Sequence, residues 1–244
     1  MAVQQEMLLA ALVMGHVVGD FYIQGETWVS QRRRLVHRTL LLGIHAALHG
    51  ILFAIISLLF AIPWDIVLLG GVTVVISHYC FDLAQSYFAR LQRWFILDQL
   101  LHLLVILLLW QAMTNPELDA LKPAQYLCAD QLVVILAYLL VLTPVSVITS
   151  RALTQWQPDM RSGDNSLARA GKAIGMLERF LILTFVLLDQ FAGIGFLMAA
   201  KSIFRFGDLR ESRDHKMTEY VMMGTLLSFT LALLIGLATK WLLT

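Results

Sequence analysis

Four residue pairs in this 244-residue chain have the types and spacing of metal ligands: His16 and Asp20, His45 and His49, His78 and Asp82, Asp98 and His102. Each pair is spaced i, i+4. On a helix that spacing puts both side chains on one face, about one turn apart. Each pair stands alone among the Asp, Glu, His, Lys and Arg residues of its own apolar run. An ionisable group at membrane depth is disfavoured by about 2.5–3.5 kcal/mol on insertion scales, so eight of them need a common solution. Carboxylates and neutral imidazoles around a divalent cation provide one, because the ion offsets the desolvation of the acid and fixes the histidine tautomer. Eight N/O ligands are too many for one tetrahedral zinc. They suit two ions sharing a bridging Asp or water, or one ion with an outer set of orienting residues. Mixed His/Asp ligation fits Zn first, with Mn, Fe or Mg as alternatives. Two ions about 3.5–4 Å apart are a usual means of activating water against a phosphoester. A single membrane histidine commonly serves as an interhelical hydrogen-bond donor, and Asp/His chains also carry protons. Four pairs of one spacing, in four separate runs, favour a catalytic metal site over both.

The elements that must position these pairs are membrane helices. The chain is 59% hydrophobic and 14% charged, against roughly 45–50% and about 25% in soluble domains. Its mean hydropathy is +0.73. This balance excludes a soluble enzyme and a disordered tail. The formal net charge of +1 supplies no field for an anionic polymer, which excludes a nucleic-acid binder. Cys80 and Cys128 form no CxxC and no disulfide framework. The N-terminus has no basic n-region and no clear cleavage site, so the first run reads as a retained helix.

Apolar runs lie at Met7–Ile23, Leu40–Ile62, Ile66–Phe88, Trp94–Trp110, Gln131–Thr149 and Val221–Leu243. A seventh region, Ala173–Phe206, is broken by Asp189, Gln190, Gly193 and Gly195. It is too long for one pass and reads as two short helices, Ile174–Leu188 and Phe191–Phe204, crossing fully or forming a re-entrant hairpin. The fold class is therefore an all-α membrane helix bundle with roughly seven or eight transmembrane or re-entrant helices. Three regions are expected: a front bundle at 1–150 holding the His/Asp set, a cytoplasmic loop at 151–172, and a back half at 173–244 with the hairpin and a terminal helix.

Basic residues of the short loops set the orientation. Arg32, Arg33, Arg34 and Arg38 follow the first run, Arg90 and Arg93 the third, and Arg151, Arg161, Arg169 and Lys172 the fifth. The connection at Pro63–Asp65 has none, and that at Gln111–Asp130 only Lys122. The N-terminus is then outside. Lys201, Arg205, Arg210, Arg213 and Lys216 fit if the hairpin returns to the cytoplasm, leaving the C-terminus outside. In that orientation Asp20, Asp82, His45 and Asp98 form a layer near the cytoplasm. His16, His49, His78 and His102 lie about one turn deeper. The loop charges include none of these eight residues, so the agreement in depth is independent.

The back half carries a second polar set. Glu178 and Arg179 follow Gly171 and Gly175, Asp189 and Gln190 mark the turn, and Lys201 and Arg205 are i, i+4 on the returning helix. One reading is snorkelling plus Glu–Arg pairing that locks the hairpin. The other is catalytic: Glu178 as acid/base, with Arg179, Lys201 and Arg205 clamping an anionic substrate.

Three strings, His16-x-x-Gly19-Asp20-Phe21-x-x-Gln24, His78-x-x-x-Asp82 and Asp98-Gln99-x-x-His102, resemble an uncharacterised bacterial membrane family, domain of unknown function 3307. Ile174-Gly175-x-Leu177-Glu178-Arg179 and Ala199-Ala200-Lys201-Ser202-Ile203-x-Arg205-Phe206 are similar to that family's C-terminal part. The resemblance implies a bacterial cytoplasmic membrane and no particular activity. A weaker likeness runs to membrane-bound metal-dependent hydrolases, which carry a His-Arg-Gly-x-Thr-His string that His37-Arg38-Thr39 does not continue.

These observations together predict a metal-dependent hydrolase acting on a phosphoester or amphipathic substrate at the cytoplasmic side. The expected partners are the lipid bilayer and a small-molecule or lipid substrate. The alternatives are a metal-ion or proton transporter, and a non-catalytic scaffold or effector stapled by a structural metal.

Overall fold

The computed structural model describes residues 2–24, 39–87, 92–114, 129–156, 165–208 and 215–244. The loop cations Arg32, Arg33, Arg34, Arg38, Arg90, Lys122, Arg161, Arg210 and Arg213 lie outside the described residues, as do the side chains of Arg93, Arg169, Arg205 and Lys216. All regular structure among the described residues is helical. Two compact units divide the chain, Met1–Leu132 and Val133–Thr244.

The first unit contains α1 (Ala2–Val18), α2 (Thr39–Leu59), α3 (Trp64–Tyr87) and α4 (Gln92–Met113). The last turn of the first run, Gly19–Ile23, is a π-helical turn that carries Asp20. The α2–α3 connection is tight. Ala61 takes a left-handed φ of 54°, Pro63 follows, and Asp65 in the first turn of α3 complements that helix's positive end. These two helices form the most extensive pairing in the unit. A Cβ on Gly50 would come within 2.4 Å of Val75 and 3.2 Å of the Gly71 carbonyl, so the backbones approach as only glycine permits. At the end remote from the His/Asp pairs, Trp110 Nε1 donates to the Gln5 carbonyl (2.7 Å) and Gln5 Nε2 to the Thr114 carbonyl (3.3 Å). These bonds tie the start of α1 to the end of α4. Leu8, Leu12, Phe53, Phe60 and Ile106 fill the core there.

Helix α5 (Ala129–Leu142) runs across the division, and Leu132 belongs to the first unit's core. It ends at Thr143, ahead of Pro144, which opens α6 (Pro144–Ala152). Proline favours the first helical turn and cannot continue a preceding helix. The second unit continues with α7 (Asn165–Leu187), α8 (Phe191–Asp208) and α9 (His215–Leu242). The turn between α7 and α8 falls at Leu188–Gln190, with Asp189 at φ 59° and the Gln190 N–H closing onto the Phe185 carbonyl at 2.7 Å. Helix α7 starts nine residues before the expected Ile174. Its added stretch, Asn165–Ala173, is rich in Leu, Ala, Arg and Lys, whose propensity carries a helix through a polar segment. Ile182, Leu183, Val186, Phe229 and Ala232 form the second core.

Among the described residues, six helical segments are long and apolar enough to cross a membrane: Gln5–Ile23, Leu40–Leu59, Trp64–Tyr87, Trp94–Met113, Ala129–Ala152 and Glu219–Leu242. Phe191–Ile203 is a shorter apolar helix. The protein is a multi-pass membrane protein of the all-α class.

Candidate metal centre

All eight His and Asp residues of the front pairs converge inside the first unit. Each helix supplies one pair, because each pair is the polar interruption of an apolar surface and faces inward on its helix. His16, His45, His49, His78, Asp82, Asp98 and His102 are all buried. Asp20 is nearly so, its side chain 10% exposed.

Asp20 is the hub. Its Oδ1 lies 3.2 Å from His45 Nε2, 3.1 Å from His49 Nε2 and 3.4 Å from His78 Nε2. Its Oδ2 lies 3.7 Å from His16 Nε2. His45 Nε2 makes a hydrogen bond to Asp20 Oδ1. A carboxylate oxygen only accepts, so that nitrogen carries the proton. The other approaches lack hydrogen-bond alignment. His16, His49, His78 and His102 each bury an Nε2 that has no hydrogen-bond partner. In His102 the remaining nitrogen is committed: Nδ1 donates to the Asp98 carbonyl at 2.8 Å, leaving Nε2 with a bare lone pair. The rings are packed face and edge, with His49 and His78 stacked at 3.8 Å and His78 and His102 at 4.1 Å between centroids.

The ligand atoms fall into three overlapping groups, each within 4.8 Å: His16, Asp20, His49 and His78; His45, His78 and Asp82; Asp82, Asp98 and His102. Asp82 Oδ2 lies 3.7 Å from His45 Nε2 and 3.8 Å from His78 Nε2.

Two amides support the carboxylates. Gln99 Nε2 donates to Asp20 Oδ2 at 2.9 Å and to Asp98 Oδ2 at 3.3 Å, and Gln85 Nε2 donates to Asp98 Oδ2 at 3.0 Å. Neither glutamine belongs to the four i, i+4 pairs, although Gln99 stands in the string Asp98-Gln99-x-x-His102. Their signal was an uncharged polar side chain inside an apolar run, the same kind of interruption that exposed the eight. Gly19 is also needed. A Cβ there would come within 2.4 Å of His49 Cε1 and 2.6 Å of its Nε2. Only glycine lets the π-turn lie against that ring.

A cavity of about 30 Å³ adjoins the histidines. His16, His49, His78, His102 and Ser77 supply its polar lining, and Leu12, Phe53, Val105 and Ile106 are among its apolar lining.

The back-half residues are placed otherwise. Arg179 is buried. Its Nε donates to the Val141 carbonyl at 2.5 Å, Nη2 to the Leu142 carbonyl at 2.8 Å and Nη1 to Ser228 Oγ at 3.1 Å. These carbonyls belong to the last turn of α5, where helix geometry leaves them without intrahelical partners. Glu178 pairs with Lys201, Nζ to Oε2 at 2.5 Å, and Lys201 also sits 5.5 Å over the Phe229 ring. The hairpin is thus joined by a Glu–Lys pair, not the expected Glu–Arg pair. Adjacent residues on a helix diverge by about 100°, so Glu178 and Arg179 do not face one another. Asp189 at the hairpin turn pairs with Lys240.

Residues 8–127 match the family model described as protein of unknown function (DUF3307). This segment belongs to that family. The DUF3307 segment contains all eight converging residues and ends before Glu178, Arg179 and Lys201. No curated protein and no solved structure matches the chain.

Proposed function

We propose that the DUF3307 segment is a metal centre, and that the protein hydrolyses a phosphoester or amphipathic substrate at the cytoplasmic face of the bacterial cytoplasmic membrane. The observation that carries this reading is a cluster of four buried imidazoles with unpartnered Nε2 atoms, three of which, His16, His49 and His78, converge on the carboxylate of Asp20. Buried polar atoms in folded proteins are nearly always hydrogen-bonded, so a cluster of exceptions calls for a ligand. A divalent ion, Zn first and Mn, Fe or Mg next, is the ligand that neutral imidazole and carboxylate share. Held within the His/Asp set it would supply a Lewis acid and, where a coordination position stays open, a more acidic water. The protein's part is to hold the donors: Gly19 admits His49, while His45 and Gln99 fix the two oxygens of Asp20.

The small apolar cavity favours an amphipathic substrate reacting at the interface. At about 30 Å³ it accommodates one or two water-sized groups, so a headgroup must arrive from the carboxylate side. The same lining disfavours a transporter, because the apolar wall beyond the histidines offers no polar path outward. Glu178, Arg179 and Lys201 serve in this reading to hold the second unit together, and Arg205, whose side chain lies outside the described residues, is kept as a substrate clamp.

The test is turnover by the full chain in mild detergent, with bis(p-nitrophenyl) phosphate and phosphoester lipids as probes. The expected result is hydrolysis that is lost on chelation, restored by one added metal, and absent in Asp20→Asn. Metal-loaded protein that cleaves none of these probes would contradict the hydrolase reading.

A further inference from the structure

We infer that the cluster holds two unequal metal positions: a closed one formed by His16, Asp20, His49 and His78, and an open one formed by Asp82, Asp98 and His102. This inference rests on the metal-centre reading above and deepens it. It follows from which nitrogens are bare. Of the five front histidines, four bury an unpartnered Nε2, and these are His16, His49, His78 and His102. His45 is the exception, because its Nε2 already donates to Asp20 Oδ1 at 3.2 Å. It is therefore a positioning residue that orients a ligand, the usual role of an outer hydrogen-bond partner at metal sites.

With His45 set apart, the ligand atoms divide without overlap. Three nitrogens and one oxygen lie within 4.8 Å of one another in the first group, and one histidine and two carboxylates in the second. An imidazole nitrogen binds one ion only, so His78 cannot serve both positions. His78 goes with the first group because its Nε2 lies 3.4 Å from Asp20 Oδ1, nearer than its 3.8 Å to Asp82 Oδ2. Asp82 stays 3.8 Å from His78, close enough for its carboxylate to link the two positions. Four protein ligands complete a tetrahedron and make a closed, structural type of site. Three protein ligands leave a coordination position for water or substrate, the arrangement of catalytic zinc. Gln85 and Gln99 both donate to Asp98 Oδ2, so the open position also has its orienting shell.

The experiment is Zn(II) binding to the full chain in detergent after chelation, read by elemental analysis, with Co(II) absorption reporting coordination. Wild type should take up about two equivalents, as expected of a two-metal site. Asp98→Asn and His102→Gln should each retain about one equivalent with a four-coordinate Co(II) spectrum. His49→Gln should lose that spectrum. His45→Gln should keep about two equivalents while binding them about ten- to hundred-fold more weakly. Saturation of wild type near one equivalent would overturn the inference, and this holds whether or not any variant folds. Loss of all metal from both His102→Gln and His49→Gln would overturn it too, as would loss of one ion from His45→Gln. Wild type that binds about two ions yet hydrolyses nothing leaves the inference standing and removes only the hydrolase reading.

Discussion

The two units bury polar side chains in opposite ways. In the second unit Arg179 is 4% exposed, and its Nε, Nη1 and Nη2 all find oxygen partners within that unit. Glu178 has Lys201. In the first unit four equally buried imidazoles each leave Nε2 without a hydrogen bond, and three of these nitrogens face Asp20. A buried donor set that is satisfied internally holds a fold together. A buried set of bare lone pairs is complete only with something added. On the proposed reading, the second unit's charges serve architecture and the first unit's histidines bind a ligand.

Four substitutions break or sharpen this contrast, in descending order of effect. His78→Ala removes the ring that stacks on His49 and lies 3.4 Å from Asp20. It should abolish turnover of a metal-dependent reaction by roughly a thousand-fold or more, with elemental analysis showing metal lost from folded protein. Gly19→Ala places a methyl group 2.4 Å from His49 Cε1, so the ring must move. Metal affinity should fall about ten- to hundred-fold, measured by competition with a chelating dye, while helicity is kept. An unchanged affinity would show that His49 is not a ligand.

The second unit should respond in the other currency. Arg179→Ala strands the Val141 and Leu142 carbonyls at a buried helix end. Each unsatisfied buried group costs about 1–3 kcal/mol, so thermal unfolding in detergent should come roughly 5–10 °C earlier, with metal content unchanged. A fall in metal content would contradict the division of roles. Lys201→Met is the mildest change. The Lys201 side chain is 27% exposed and the pair contributes about 1 kcal/mol or less. A shift of only a few degrees is expected, with turnover retained. Lost turnover without a stability change would return Lys201 to the substrate.

Much of the site was legible because one spacing repeats. The i, i+4 pairs fix which helix face is polar, and four such faces in otherwise apolar runs have to meet one another. The hairpin turn was legible from Asp189 and Gln190. What spacing does not fix is the rotation of one helix against another, and so which partner a side chain meets. His45 and His49 look equivalent in the sequence, yet one donates to Asp20 and the other stays bare. The π-turn at Gly19–Ile23 has no periodicity of its own, because it shifts a register without changing residue types. Glu178 found Lys201, 23 residues away on the next helix, a distance only the hairpin geometry sets. The role of Arg179 depended on Pro144, whose break leaves the α5 carbonyls open.

The central claim is that the four bare imidazoles are metal ligands. X-ray absorption with elemental analysis on the 244-residue chain, purified in mild detergent without added chelator, tests it most directly. The account predicts about one or two equivalents of a single divalent metal, with a shell of N/O donors near 2.0–2.2 Å and imidazole scattering beyond it. Folded protein that carries no metal, and takes up none from Zn, Mn, Fe or Mg, would contradict it.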